Sequence, residues 1–293
     1  MTQDPYIPAG AGGLSVPLAD RSELLMFPRL SAYSQIVARL QWDARAIDLT
    51  ADARAWPELP AERRRRLTTL LAGFRVAEDS VAEHLVPFAD RAEHVDTMMM
   101  WLFFLQRRDE DRHTQLFDRI AAEVMQLPGE TPDERLAAAR VEVPDAMLEL
   151  FEKRLPALAA ELGAGHVGIL DGVALYHMIL EGAVFSAGQR ALLDELSDGV
   201  LPGIREGVER VERDERWHVG FGVRCLTEAK RPDVLDGLLE RATEAAAAWG
   251  DAVDAETRDF AVGLVRRRLA IAGLVGAPAD AGDPAELEAQ TGI

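Results

Sequence analysis

The sequence predicts four long helices, and each of them places a glutamate within its apolar face. We predict helices near 59–89, 94–126, 166–198 and 201–230 from the spacing of apolar side chains and from the positions of the proline and glycine residues that end helices. In the same order, the glutamates are Glu78, Glu110, Glu181 and Glu215. Strand-like alternation of polar and apolar residues is missing from the sequence. We therefore expect an all-α fold, a ferritin-like four-helix bundle with additional flanking helices.

The rest of the chain is predicted to flank this bundle. Shorter helices are expected near 20–41, 145–162, 232–249 and 255–274, and a loop is expected over 127–144. We see no linker that would divide the chain, so residues 20–275 are expected to form one domain. Residues 1–19 are interpreted as an extended N-terminal arm, and residues 276–293 as a flexible C-terminal tail.

The four glutamates predict a metal centre, because buried carboxylates repel one another unless cations lie between them. Two of them begin the motifs Glu110-x-x-His113 and Glu215-x-x-His218. Residues three apart share a helix face, so each motif can hold one ion. The order Glu, Glu-x-x-His, Glu, Glu-x-x-His is typical of bundles that bind two iron or manganese ions. Oxygen and imidazole ligands suit these metals. The alternative interpretation is two solvated acid–histidine pairs.

Three further residues are predicted to lie close to the metals. Asp214 and Asp109 each precede a motif glutamate and are candidates to orient a ligating histidine, with surface charge as the alternative, which stays open for Asp109. His177 lies one turn before Glu181 and is equally compatible with a core histidine. Asp79 is a minor alternative to Glu78 as the first ligand.

Composition limits the partners. Fifty acidic residues against 32 Lys and Arg give a net charge of −18, which argues against nucleic acid. Cys225 is the only cysteine, so an internal disulfide and a cysteine-built zinc site are excluded. The N-terminus lacks the features of a signal peptide, and no apolar stretch reaches the length of a membrane span. We expect a cytoplasmic protein.

Two oxidisable side chains lie at helical spacing from the predicted ligands. Val81 follows Glu78 by one turn, and Tyr176 precedes Glu181 by five residues. Phe117 follows His113 by four residues and cannot form a phenoxyl radical. A redox-active metal pair beside such groups can use O2 as an oxidant. Four apolar residues are candidates to line a ligand channel, with plain core as the alternative: Phe74, Met99, Phe103 and Phe117.

The chain resembles the ligand-binding oxidases related to the ribonucleotide reductase small subunit. The resemblance rests on the stretch 176–182 (YHMILEG), the stretch 77–81 (AEDSV), the two Asp-Glu-x-x-His motifs and the segment 42–49. It covers roughly residues 40–225. The chain departs from the family in reading Ala-Glu-Asp at 77–79, where Gly-Glu-Glu is usual.

The resemblance implies a mixed Mn/Fe pair, with Fe/Fe as the alternative, that reacts with O2. One metal would be held by Glu78, Glu110 and His113, and the other by Glu181, Glu215 and His218. It also implies an ether cross-link between Tyr176 and Val81, a long-chain fatty acid bound with its carboxylate on the metals, and a homodimer.

Three alternatives stay open at this point. One is a true ribonucleotide reductase small subunit, against which stand Phe117 and a tail after residue 270 without Tyr or Trp. Another is a different di-iron oxygenase. The third is iron storage or a structural metal bundle, although ferritin cages are built from much shorter chains.

Overall fold

A computed structural model describes residues 27–229 and 232–275. The predicted arm over 1–19 and the tail over 276–293 lie outside the described residues. The helices are α1 (Leu30–Arg39), α2 (Thr50–Ala55), α3 (Ala61–His84), α4 (Val86–Glu93), α5 (Thr97–Arg119), α6 (Pro132–Val141), α7 (Asp145–Glu149), α8 (Leu155–Ala164), α9 (Ile169–Val173), α10 (Ser186–Glu195), α11 (Pro202–Ala229), α12 (Leu238–Ala246) and α13 (Ala255–Ile271). No strand occurs in the described ranges, which confirms the all-α prediction.

Short segments of other helix types join these elements. Single 3₁₀ segments cover Ala44–Ala46, Trp56–Glu58, Pro232–Leu235 and Ala247–Ala252. Three π-helical segments cover Ile120–Met125, Leu150–Arg154 and Ala174–Phe185. The last of these joins α9 to α10, so that Ile169–Glu195 is one continuous helix.

Four long helices form the bundle, as predicted. Helix α3 packs on α5, α5 packs on α11, α11 packs on the π-helical segment Ala174–Phe185, and α10 packs back on α3. Their inward faces join a single cluster of buried apolar residues. The remaining helices flank this ring, with α4 on α5 and α13 on the π-helical segment. The ferritin-like bundle with flanking helices is therefore confirmed.

The structure differs from the sequence prediction at 59–89 and at 127–144. The helix predicted over 59–89 is broken after His84, because Pro87 lacks an amide hydrogen and its ring is excluded from a helix interior. The segment 127–144, predicted to be a loop, contains α6. This helix begins with a capping box, in which Thr131 accepts from the Glu134 amide and Glu134 accepts from the Thr131 amide. The Thr-Pro-Asp-Glu sequence at 131–134 is a signal for this helix that the prediction missed.

The helix Ile169–Glu195 is apolar and long enough to cross a membrane by length and composition. Its most apolar window has a mean hydropathy of 1.3, but 78% of that window is buried inside the fold. Its position in the bundle accounts for this apolar character, because its central segment Ala174–Phe185 packs on α11, α12 and α13.

The indole ring of Trp249 packs closely against two glycines of the bundle, Gly73 on α3 and Gly188 on α10. A Cβ added at Gly188 would lie 2.7 Å from Trp249 Cε2, and one at Gly73 would lie 2.9 Å from Trp249 Cη2. The indole also donates from Nε1 to Val184 O at 2.7 Å, which holds the ring in place. Only residues without a side chain allow this close approach of α3 and α10 to the ring.

We expect Gly188→Ala to lower the free energy of unfolding by about 1–3 kcal/mol, because the added methyl overpacks the fixed indole. Gly263→Ala in α13 is the matched control, since no atom lies within 4 Å of its added Cβ. That change should be neutral or stabilise the fold by up to about 1 kcal/mol. Chemical denaturation measures both, and equal stabilities of the two variants would contradict the packing argument.

Candidate metal centre

Each bundle helix contributes to a buried cluster of carboxylates and imidazoles. Helix α3 carries Glu78, α5 carries Glu110 and His113, the π-helical segment carries Glu181, and α11 carries Glu215 and His218. All six side chains are buried. Because each of these residues lies within the apolar face of its helix, packing of the four faces brings them together.

Glu110 and Glu215 belong to two overlapping groups within this cluster. The first group is Glu78, Glu110, His113 and Glu215, and the second is Glu110, Glu181, Glu215 and His218. In each group, every residue offers one nitrogen or oxygen atom, and these four atoms all lie within 4.8 Å of one another. The two groups therefore describe adjacent cation sites that share two glutamates.

The two histidines face their groups through the same ring atom. His113 Nδ1 lies 3.1 Å from Glu110 Oε2, 3.4 Å from Glu78 Oε2 and 3.5 Å from Glu215 Oε1. His218 Nδ1 lies 3.2 Å from Glu181 Oε1, 3.3 Å from Glu110 Oε1 and 3.5 Å from Glu215 Oε2. The two oxygens of Glu110, and likewise those of Glu215, thus turn toward different histidines, so each of these glutamates could contribute a donor atom to both groups.

The buried oxygens of the cluster fit divalent cations. Both carboxylate oxygens of Glu78 and of Glu215, and Glu181 Oε2, lie out of solvent without a hydrogen-bond donor among the described residues. Leaving such atoms without a partner in a protein interior is costly. A donor set of carboxylate oxygens and imidazole nitrogens without thiolate suits iron and manganese.

Protons and charges in the cluster are strongly coupled. Burial raises the pKa of Glu78, and it raises the pKa of Glu181 to about 8 with the help of neighbouring Glu215. Against the effect of burial, His218 and His113 lower the pKa of Glu110 to about 2. The neighbouring carboxylates also raise the pKa of both histidines, although burial opposes this shift. Binding of a cation would displace the protons that these groups hold.

Asp214 and Asp109 lie behind the histidines in a crossed arrangement. His113 Nε2 lies 3.2 Å from Asp214 Oδ2, whereas His218 Nε2 lies 3.6 Å from Asp109 Oδ2. Each aspartate therefore faces the histidine of the other Glu-x-x-His motif. A carboxylate in this position fixes the imidazole ring and leaves Nδ1 free for a metal.

Three further donors hold these aspartates, and the motif analysis missed them in this role. Trp42 Nε1 donates to Asp214 Oδ2 at 2.7 Å, and Trp217 Nε1 donates to Asp109 Oδ2 at 3.0 Å. Arg112 Nη2 donates to both carboxylates, at 2.6 Å to Asp109 and 2.9 Å to Asp214. Against the effect of burial, the bond to His113 lowers the pKa of Asp214, and Arg112 and Trp42 add to this shift. The Asp214 carboxyl is thus kept ionised beside His113.

Gln106 connects Tyr176 to the cluster and was also missed. Its amide nitrogen donates to Glu181 Oε1 at 2.7 Å and to Tyr176 Oη at 3.1 Å, and its oxygen lies 3.1 Å from His177 Nε2. Tyr176 Oη in turn donates to Glu110 Oε1 at 2.9 Å. Burial lowers the pKa of His177 to about 3, so this imidazole is neutral and donates from Nε2. The spacing signal was available, because Gln106 precedes Glu110 by one turn.

The other predicted residues lie outside the two groups. Val81 is fully buried on α3. Asp79 belongs to neither group and pairs with Arg75 at 2.9 Å, so Glu78 supplies the first carboxylate. The four channel candidates are buried: Phe74, Met99, Phe103 and Phe117. Among them, Phe74 stacks on Phe117 with a centroid separation of 5.3 Å.

Solved structures of R2-like ligand-binding oxidase variants share this fold. A valine-to-leucine variant with anaerobically reconstituted Mn/Fe cofactor has a TM-score of 0.67 and 17% identity, with 90% of this chain and 95% of that chain covered. A tyrosine-to-phenylalanine variant has a TM-score of 0.63 and 18% identity, with 89% and 94% covered. A glycine-to-phenylalanine variant has a TM-score of 0.65 and 18% identity, with 88% and 94% covered. At this level of identity, the likeness establishes the fold.

The sequence itself matches a family. The family model of the ribonucleotide reductase, small chain, matches residues 27–260, which span most of the chain and include every residue of the cluster. The chain therefore belongs to the ribonucleotide reductase small chain family.

Proposed function

We propose that the chain is a dinuclear Mn/Fe oxidase that uses O2 for the two-electron oxidation of a C–H bond. The observation that carries this proposal is the pair of buried groups that share Glu110 and Glu215. Glu78 and His113 would complete one site, and Glu181 and His218 the other. When bound, such a metal pair supplies electrons to O2 and an oxidant for nearby bonds. The Mn/Fe cofactor of the structurally similar oxidases supports this choice of metals.

The protein groups around the site would control where protons go. Asp214 would hold His113 in one tautomer through its contact with Nε2 at 3.2 Å, and Asp109 faces His218 Nε2 at 3.6 Å. Tyr176 Oη already donates to Glu110 Oε1, so that a proton leaving the phenol has an acceptor in place. Burial and the neighbouring Glu110 raise the pKa of Tyr176, which keeps the phenol protonated until it reacts.

We expect the same reaction to oxidise two side chains of the protein itself, those of Tyr176 and Val81. Tyr176 Oη would form an ether with the Cβ of Val81, since Tyr176 Oη contacts Glu110 and Val81 is buried one turn after Glu78 on α3. A long-chain fatty acid or similar lipid would bind at the same centre. We also propose that the protein is a cytoplasmic homodimer, as the family resemblance implies.

The proposal is tested by the metal content after aerobic loading with Mn and Fe. We expect about two metal ions per chain, with anomalous scattering at the Mn and Fe edges placing one element in each group. Two iron ions per chain would indicate an Fe/Fe cofactor instead of Mn/Fe, and they would still support the proposed oxidase. Absence of metal from a folded chain would contradict the proposed function.

A second candidate is generation of a radical for a partner subunit, as in ribonucleotide reductase. It is favoured by the hydrogen-bonded chain from half-buried Trp42 through Asp214 to His113, which offers a route for an electron. Against it stands Phe117, which follows the proposed ligand His113 by four residues on α5 and cannot form a phenoxyl radical. An electron paramagnetic resonance spectrum of the loaded protein distinguishes the two, because this candidate requires a persistent radical.

A further inference from the structure

Gln106 is a fully buried glutamine of α5 that belongs to neither group of the cluster. Its amide nitrogen lies 2.7 Å from Glu181 Oε1 and 3.1 Å from Tyr176 Oη. Its amide oxygen lies 3.1 Å from His177 Nε2. One amide group therefore joins α5 to three side chains of the π-helical segment Ala174–Phe185.

The π-helical register places two of these side chains on one face. Tyr176 and Glu181 are five residues apart, and the backbone bonds of a π-helix join residues at this spacing. In an α-helix, the same spacing would turn the two side chains about 140° away from each other. The segment Ala174–Phe185 thus allows both N–H hydrogens of Gln106 to be used, one on the Glu181 carboxylate and one on the Tyr176 oxygen.

The orientation of the Gln106 amide is determined by its neighbours. Glu181 Oε1 faces two nitrogens, Gln106 Nε2 at 2.7 Å and His218 Nδ1 at 3.2 Å, so this oxygen acts as an acceptor. The amide oxygen lies on the opposite side, where His177 Nε2 donates to it. The amide therefore offers Tyr176 Oη a donor and no acceptor.

We propose that Gln106 is a positioning residue for the oxidation of Tyr176. A phenol oxygen has one hydrogen to donate and two lone pairs that accept. The Gln106 amide occupies one lone pair, and the phenol hydrogen is directed to Glu110 Oε1, 2.9 Å away. Together these two bonds fix Oη with its proton aimed at the group that would accept it. The inference rests on the proposed function and goes beyond it by naming the residue that holds the phenol for ether formation.

Formation of the ether depends on where the phenol oxygen is held. The reaction would break the Oη–H bond of Tyr176 and the Cβ–H bond of Val81. The phenol proton would pass to Glu110, and dioxygen would accept the two electrons and the proton from Val81. A misplacement of about 1 Å at a reacting atom can slow such a step about a hundredfold. Without the Gln106 amide, the phenol would lose one of the two bonds that fix it.

The positioning is tested first in the metal-free protein, by NMR of tyrosine labelled with ¹³C at Cζ. This carbon reports the hydrogen bonds of its phenol, and the chain contains only three tyrosines, so that loss of one resonance in Tyr176→Phe identifies Tyr176. Gln106→Met keeps the length of the side chain but has no N–H, and it should shift the Tyr176 resonance and leave that of Tyr33 in place. Gln189→Met is the matched control and should shift neither, since Gln189 is also buried but its amide nitrogen has no acceptor among the described residues.

The second measurement follows the ether after aerobic loading with Mn and Fe. Gln106→Met should retain about two ions per chain and consume as much O2 as wild type, because Gln106 belongs to neither group. The ether should nevertheless form about ten- to a hundredfold more slowly, as followed by intact mass. Gln189→Met should form it at the wild-type rate. A general loss of structure would instead lower metal content and O2 uptake together with the ether.

An unmoved Tyr176 resonance in Gln106→Met would overturn the inference, as would ether formation at the wild-type rate in that variant with both metals bound. Should Gln106→Met fail to fold, His177→Phe removes the donor that holds the amide oxygen. It should shift the Tyr176 resonance and slow ether formation by about three- to tenfold, and an unchanged resonance and rate would equally overturn the inference. A wild-type chain that takes up no metal would contradict the proposed function, whereas a shifted resonance in Gln106→Met would still support the positioning of the phenol.

Discussion

Glu110→Ala should lose both metal ions, because Glu110 belongs to both groups of the cluster. Its two oxygens face different histidines, with Oε2 at 3.1 Å from His113 Nδ1 and Oε1 at 3.3 Å from His218 Nδ1. Removing these two oxygens would take one donor atom from each proposed site. The remaining carboxylates would then lack the residue that the two sites share. We expect the metal content of the purified variant to fall from about two ions per chain to near zero, as measured by elemental analysis.

Single-site variants provide the contrast. Glu78 and Glu181 each occur in one group only, so Glu78→Ala and Glu181→Ala should each retain about one ion. Glu206→Ala is the control for a lost acidic charge, because Glu206 is exposed on α11 and pairs with Arg210. If Glu110→Ala and Glu78→Ala lost the same amount of metal while folded, the shared-ligand arrangement would be wrong.

Aerobic loading with Mn and Fe should lower the intact mass of the chain by about 2 Da, because ether formation removes two hydrogen atoms. The reaction joins Tyr176 Oη to Val81 Cβ and breaks one O–H and one C–H bond. Two protons and two electrons leave these side chains, and dioxygen accepts the electrons. A proteolytic fragment that joins the Val81 and Tyr176 peptides should appear in the mass spectrum of the digest.

Tyr176→Phe should abolish this mass shift while it retains the metals, since Tyr176 belongs to neither group of the cluster. Tyr33→Phe is the matched control, because Tyr33 is a buried tyrosine on α1 whose ring packs on Trp217 instead. That variant should show the full shift. An unshifted mass of the loaded wild-type chain, with no joined fragment, would refute the cross-link.

The ligand types were predictable from the sequence, but the way they share two ions was not. Helical spacing places Glu110 and His113 on one face and predicts that they act together. The family resemblance divided the six residues between the two metals, whereas the structure places Glu110 and Glu215 between both histidines. The pairing of carboxylate oxygens with histidine rings depends on side-chain rotamers and on the packing of four helices. Helical spacing in the sequence gives information on neither.

The hydrogen-bonding partners around the site show the same limit. Trp42 and Asp214 are 172 positions apart in the chain, and their bond exists because α11 packs against the segment after α1. Gln106 was closer to prediction, since it lies one turn from Glu110. Its amide reaches Tyr176 on a different helix, however, and this contact follows only from the packed bundle. Helix α6 is a different case, because its capping box is formed by residues close together in the sequence and depends on no distant contact.

The crossed aspartates have a consequence for how the centre can be assembled and changed. The first half of the bundle supplies His113 together with the aspartate that faces His218, and the second half supplies His218 together with the aspartate that faces His113. Arg112 bonds to both aspartates and ties the two halves together. Neither half of the chain contains a complete site with its own support. The metal centre therefore acts as a test of correct assembly, since only a chain with both halves docked in register can hold its ions.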